Sequence, residues 1–216
     1  MQGPGNHRLV FSQSGIFTVT DYPEPVFGEK ITRKDHAHLR EWVTERSKLG
    51  FALLKGLKLH LTEDSSVLYL GASSGTTVSY VSDLVPGGYV YAVEMSYDPF
   101  VKLVRLAEKR KNIIPILEDA GFPERYRFLV DSADLIYQDI SQPDQVRIFN
   151  INGEAFPEAK YALLVLKARS LISGGSEQIK IRDSVNNILN FDLVRKFDLN
   201  PLHRSNYLLD LKRRKI

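Results

Sequence analysis

From residue 66 onward the sequence settles into one rhythm: a short apolar run, a turn, a stretch with helical spacing, then another apolar run. The runs are VLYL (67–70), YVYAV (89–93), NIIPIL (112–117), DLIYQD (134–139) and YALLVLK (161–167). Short runs with little polar alternation read as strands buried on both faces. Helical patterns lie between several of them, and Pro86-Gly87-Gly88 stops the first one cleanly. The alternation predicts an α/β chain built on a parallel sheet covered on both sides. Two last runs, FDLV…FDL (191–199) and NYLLDLK (206–212), lack a clear helix between them and are expected to pair antiparallel at one edge.

The first 60 residues follow a different pattern. RLVFSQSGIFTVT (8–20) alternates around Ser14-Gly15 as a hairpin does, and the proline- and glycine-rich DYPEPVFGEK reads as irregular connection. A helix is expected from about Leu39 to Leu57, with Trp42, Leu49, Leu53 and Leu54 as its apolar stripe. The predicted division is a small N-terminal β-hairpin domain over 1–38 and the larger α/β domain over 39–216.

Composition narrows the chemistry. With no cysteine, disulfides, thiolate metal sites and cysteine nucleophiles are excluded. His7, His36, His38 and His60 are scattered and suggest no metal site. No apolar run approaches the roughly 18 residues of a membrane span, and the opening MQGPGNHRLV lacks the apolar segment of a signal peptide. The expectation is a cytoplasmic protein with no membrane partner. A formal charge of +3 permits a nucleic-acid partner without demanding one. The basic clusters KLVRLAEKRK (102–111) and LKRRKI read equally well as solvated surface.

The ends of the predicted strands carry the functional signal, because ligands of such sheets bind beyond them. After VLYL comes Gly71-Ala-Ser-Ser-Gly75, which is neither the dinucleotide G-x-G-x-x-G nor a Walker loop. Glu94 closes the next strand, placed to accept hydrogen bonds from both hydroxyls of a ribose. Asp119 follows the third strand, where a carboxylate can accept from an adenine amino group, and Asp139 ends the fourth. Three carboxylates would repel a pyrophosphate but tolerate a sulfonium and an ammonium charge. S-adenosylmethionine fits this pattern and NAD does not. Methylation at pyrimidine C5 is excluded for want of a cysteine. The loop Asp139-Ile140-Ser141-Gln142-Pro143 lacks the Asn/Asp-Pro-Pro-aromatic form common for exocyclic amines. A hydroxyl acceptor needs its proton removed or weakened, and Lys167, at the end of the fifth strand, and Lys48, in the preceding helix, are candidates.

At these residues the chain resembles the fibrillarin-like RNA 2′-O-methyltransferases of archaea. The resemblance rests on ERSKLGFALLKGL, VLYLGASSGTTVSYVSD, VYAVEMS, NIIPILEDA, DLIYQDISQPDQ and LLVLKARS, in unbroken order across residues 26–175. It implies a Rossmann-like, seven-stranded class I methyltransferase sheet behind a small N-terminal β domain. It also implies cofactor contacts from Gly71, Thr76, Thr77, Glu94, Met95, Asp119, Ala120, and Asp139 with Ile140, Ser141 and Gln142. A family catalytic set of Lys-Asp-Lys-His maps onto Lys48, Asp139 and Lys167, with the two lysines stabilising a 2′-oxyanion and Asp139 holding them. The fourth member is missing: Ser205-Asn206-Tyr207 stands where the family shows Asp-His-Ala, and His203 lies three residues upstream. The implied activity is 2′-O-methylation of rRNA, and of tRNA as a second substrate. It is directed by box C/D guide RNA paired with the target RNA, together with a Nop-family scaffold protein and a kink-turn-binding protein of ribosomal type. Two rival readings stay open: a guide-independent methyltransferase, and a cofactor-binding structural subunit with reduced activity because of Asn206.

Overall fold

The computed structural model describes residues 6–34, 36–171 and 175–215; the first five residues of the segment read for a signal peptide lie outside them. The chain opens with an antiparallel sheet of β1 (Leu9–Ser12), β2 (Gly15–Thr20), β3 (Ile31–Lys34) and β4 (Ala37–Glu41), in the order β1-β2-β4-β3. The expected hairpin is therefore half of a four-stranded sheet, and β4 runs through the boundary read at residue 38. The helix expected from Leu39 is corrected too. Leu39 to Glu41 belong to β4, Thr44–Arg46 form a single 3-10 turn, and α1 covers only Lys48–Leu54. Ser47 starts that helix, its hydroxyl accepting from Gly50 N at 3.1 Å. Trp42 is buried from extended chain, its ring stacked 4.7 Å from Tyr80, whereas Leu54 is 50% exposed. The helical spacing of that stripe was a coincidence of two different structures.

The remaining elements are β5 (Val67–Leu70), α2 (Thr76–Leu84), β6 (Val90–Glu94), α3 (Tyr97–Lys109), β7 (Ile113–Leu117), β8 (Leu135–Gln138), α4 (Gln145–Ala155), β9 (Tyr161–Lys167), α5 (Glu177–Asn186), β10 (Phe191–Asp198) and β11 (Asn206–Arg213). They build a seven-stranded sheet in the order β10-β11-β9-β8-β5-β6-β7. The strands β5 to β9 are mutually parallel, and β11 is antiparallel to both its neighbours. β5 shows why alternation was missing from the sequence. Val67 and Tyr69 enter the apolar layer on one face and Leu68 and Leu70 the layer on the other. Successive connections leave β5 in opposite directions, toward β6 and, after β7, toward β8. Strand order therefore reverses beside β5, opening a crevice at the C-terminal ends of β5 and β8.

A buried charge cluster fixes the first sheet to α2. Arg40, fully buried on β4, donates to Glu29 Oε1 at 2.6 Å, Asp83 Oδ2 at 2.9 Å and Ser79 Oγ at 2.8 Å. Asp83 also accepts from Thr18 Oγ1, Thr20 Oγ1 and the Arg110 guanidinium, at 2.9, 2.7 and 2.5 Å. Charges taken out of water persist only when paired and hydrogen-bonded, and here every element of the junction contributes a partner.

Candidate active site

The crevice is a cleft of about 600 Å³ at the strand ends. Two glycines allow the close packing around it. Gly71 has φ of 83°, and a Cβ there would stand 2.7 Å from the Asp139 carbonyl oxygen, so only glycine lets the end of β5 lie against the end of β8. Gly75 has φ of 88°, and a Cβ would meet Leu106 Cδ2 at 2.5 Å, which sets how closely α2 packs on α3.

Glu94 is held by both oxygens. Oε2 accepts from Ser73 N at 2.8 Å and Oε1 from Ser96 N at 2.7 Å, so the carboxylate is fixed between the turn after β5 and the chain after β6. Each oxygen retains a lone pair, and Glu94 lines the cleft. Asp119 Oδ1 accepts from Gly121 N at 2.8 Å and from Gln142 Nε2 at 3.1 Å, joining the end of β7 to the loop after β8. The same amide of Gln142 reaches Met95 Sδ at 3.6 Å. Neither Glu94 nor Asp119 has a cationic partner among the described residues. Met95, Ala120, Ile140, Ser141 and Gln142 line the cleft with Gly71 and Glu94; Thr76, Thr77 and Asp119 do not. Thr77 instead donates to Ser47 Oγ at 3.1 Å, joining the first turns of α2 and α1.

Lys48, Asp139 and Lys167 converge on one rim of the cleft, although 91 residues separate the first two. Lys48 Nζ lies 2.9 Å from Asp139 Oδ2 and Lys167 Nζ 2.9 Å from Asp139 Oδ1. The Lys167 contact is an ion pair rather than an aligned hydrogen bond, since Oδ1 has no hydrogen-bond partner. Lys167 directs its protons to Ser141 Oγ at 2.8 Å and the Asp139 carbonyl at 3.3 Å. Burial alone would push the Asp139 carboxyl up, but Lys48 and then Lys167 outweigh it and hold it below the usual carboxylate range. Two ammonium groups against one carboxylate leave a net charge of +1, and no second acid pairs with either lysine among the described residues. Such a cluster can stabilise an oxyanion that forms beside it.

Asn206 sits opposite Lys167 in the β9–β11 pairing. Its Nδ2 donates to the carbonyls of Arg204 at 3.0 Å and His203 at 3.4 Å, and its Oδ1 is buried without a partner. His203 packs its ring edge-on against Phe51, and its Nε2 meets the Thr44 carbonyl at 3.0 Å. Burial lowers its affinity for a proton below that of an ordinary histidine. It stands near the lysine–aspartate group without bonding to it.

Two residues that sequence reading passed over complete the site. Gln138 and Gln145 are both fully buried, and both serve the ends of the strands that carry Asp139 and Lys167. A buried glutamine leaves no periodic signal, and Gln145 opens a helix, where polar residues are ordinary.

Comparison with known proteins agrees with this geometry. The Fibrillarin family model matches residues 12–214, well beyond the 26–175 over which the resemblance was read. A fibrillarin-like rRNA/tRNA 2′-O-methyltransferase from Thermoplasma acidophilum is 49% identical over 195 residues, covering 90% of this chain and 84% of that relative. Among solved structures, a fibrillarin/Nop5p complex superimposes with a TM-score of 0.89 at 39% identity, covering 96% of this chain and 98% of that one. Aeropyrum pernix fibrillarin, solved with natively bound S-adenosyl-L-methionine, gives a TM-score of 0.79 at 36% identity over 91% of this chain and 88% of that one. In length, fold and the residues gathered at its strand ends, the chain belongs to the fibrillarin family.

Proposed function

We propose that the protein methylates ribose 2′-hydroxyls of rRNA, and of tRNA as a second substrate, using S-adenosylmethionine. It does so in a ribonucleoprotein where a box C/D guide RNA pairs with the target, and a Nop-family scaffold and a kink-turn-binding protein hold the parts. The cytoplasm is the compartment this reading assigns. The observation that carries it is the Lys48–Asp139–Lys167 group, one carboxylate between two ammonium groups at the open rim of a cleft lined with acids.

The donor set suits the cofactor. Glu94, fixed by two backbone amides and free of cations, would accept from its ribose hydroxyls. Asp119 would accept from its adenine amine beside Ala120, and Asp139 would orient its ammonium end. Gly71, Met95, Ile140, Ser141 and Gln142 would enclose it, and Thr76 and Thr77 would support the turn at the start of α2. When bound, S-adenosylmethionine supplies an electrophilic methyl group. The protein's part is at the acceptor oxygen. The two lysines, as ammonium groups, hold the negative charge that develops on the oxygen as the methyl group arrives and the 2′ proton leaves to solvent. Asp139 keeps both within reach.

A guide-independent enzyme and a non-catalytic subunit are the rival readings, and the intact lysine–aspartate group speaks against the second. Reconstitution with scaffold, kink-turn protein and a guide, followed by mapping of methylated riboses on a paired target, separates all three. Methylation only at the guide-specified nucleotide is expected. Methylation without guide, or cofactor binding with no transfer, would overturn the proposal.

A further inference from the structure

The pairing of β8 with β9 ends at Gln138 opposite Leu164, so Val165, Leu166 and Lys167 run on with no strand beside them on that flank. On the other flank β11 continues as far as Asn206 opposite Lys167. One side chain fills the open position. Gln145 Oε1 accepts from Lys167 N at 2.9 Å, and Gln145 Nε2 donates to the Lys167 carbonyl at 3.3 Å. A single carboxamide thus takes both backbone groups of the residue, as a neighbouring strand would. Gln145 in turn accepts, through its own carbonyl, from Gln138 Nε2 at 2.8 Å. Gln138 immediately precedes Asp139. The two buried glutamines form a continuous hydrogen-bonded path from the strand bearing Asp139 to the backbone bearing Lys167.

We propose that Gln145 is a positioning residue for methyl transfer, its carboxamide fixing the Lys167 backbone so that the ammonium stays paired with Asp139 and aimed at the acceptor hydroxyl. The inference rests on the proposed role of Lys167. Its physical basis is the flexibility of the lysine side chain, whose four-carbon stem has no preferred direction unless the backbone beneath it is held. Lys167 Nζ must meet Asp139 Oδ1 and Ser141 Oγ together, at 2.9 and 2.8 Å, so a small shift of its backbone forfeits one contact. Asparagine at 145 is one methylene too short to span both backbone groups. Glutamate keeps the acceptor for Lys167 N but, when ionised, turns a carboxylate on the carbonyl.

The test uses Gln145→Asn and Gln145→Glu in the reconstituted complex, with single-turnover transfer at saturating cofactor. Gln145→Asn should lower the transfer rate about tenfold or more, while the cofactor Kd of the free protein changes by less than about twofold. Gln145→Glu should show a new pH dependence, recovering toward the parent rate as pH falls and the glutamic acid regains an O–H donor for the carbonyl. In free protein carrying 13C-labelled aspartate, the Asp139 carboxyl should titrate at higher pH in Gln145→Asn than in the parent, because it has lost part of its ammonium contact. Parent-like rate and parent-like Asp139 titration would overturn the proposal, as would cofactor affinity falling in step with rate. A parent complex that never methylates would sink the functional reading alone, and the carboxyl titration would still decide the role of Gln145. If Gln145→Asn does not fold, the pH-dependent rescue and the titration in Gln145→Glu decide it.

Discussion

Two aspartates in this molecule are each bracketed by two cations, and they do opposite work. Asp83 lies between Arg40 and Arg110 at the junction of the first sheet with α2, and Glu29 brings the charges there to two of each sign. Its oxygens are also capped by two threonine hydroxyls, and the charges balance. Asp139 lies between Lys48 and Lys167 with no second acid, its side chain 14% exposed toward a cleft. The first cluster is neutral, closed and made of planar guanidinium groups that hold several partners at once. The second carries one uncompensated positive charge on ammonium groups, which reorient and exchange protons more readily. A balanced cluster holds elements together, and the unbalanced one suits the proposed task of meeting a charge that appears only during reaction.

The contrast breaks most visibly at the structural cluster. Asp83→Ala leaves Arg40 and Arg110 buried without their shared partner and should cost about 3–5 kcal/mol of stability, measured by denaturant unfolding. The folded fraction of that variant should retain the parent's cofactor affinity. Lys167→Ala should do the reverse, keeping the unfolding midpoint and the cofactor Kd while transfer in the reconstituted complex falls about a hundredfold or more. A variant at either position that moved both readouts together would erase the distinction. Acid titration sharpens it. The Asp139 carboxyl is held below its ordinary range, so its ion pairs contribute fully above the unfolded value and are lost as pH falls through the lower, folded one. Lys48→Ala removes one of the two ammonium groups, raises that folded value and should move the acid limb of the rate profile to higher pH. Asp119→Ala tests the acids that belong to neither cluster. Loss of one hydrogen bond should weaken S-adenosylmethionine binding by about 1 kcal/mol in calorimetry. The smallest effect is expected at Asn206. If the position orients rather than relays, Asn206→His changes the transfer rate by less than about tenfold. A larger gain would mean that a proton relay is missing from the natural protein.

What could be read from the sequence follows from how each part is buried. β5, β6, β8 and β9 are buried almost throughout on both faces, so apart from Glu94, Gln138 and Lys167 at their ends their residues are apolar and stand out as runs. β3 and β4, ITRK and AHLRE, form part of a small sheet and alternate weakly, so they carry almost no strand signal. Arg40 compounds this, because a fully buried arginine reads as surface until its partners at Glu29 and Asp83 are placed in space. The acids at the strand ends were legible because position along a strand fixes which rim a residue reaches. Lys48 was a candidate on chemistry, but only the family resemblance grouped it with Asp139, since nothing local marks a lysine 91 residues from its partner. Gln145 lies in the family segment DLIYQDISQPDQ, but nothing in the sequence marked its role. Its role lies in an unpaired stretch of β9, which is visible only once the lengths of two strands are compared.

The order of the strands also dictates an order in time. β11 is the last strand of the sequence, yet it lies between β9 and β10 and completes the flank of β9 that bears Lys167. During synthesis β5 to β8 emerge before β9, with Gly71, Glu94, Asp119 and Asp139 at the ends of neighbouring strands, so those ends can assemble early. β9 follows with one edge open, and an open apolar edge is a template for pairing with other chains. Leu208, Leu209 and Leu211 of β11, each fully buried, cover that edge only after nearly the whole chain has been made. Lys167 therefore stays unsupported on that flank until synthesis is almost over, and a nascent chain can assemble the strand ends bearing Glu94, Asp119 and Asp139 before the Lys167 backbone is fixed.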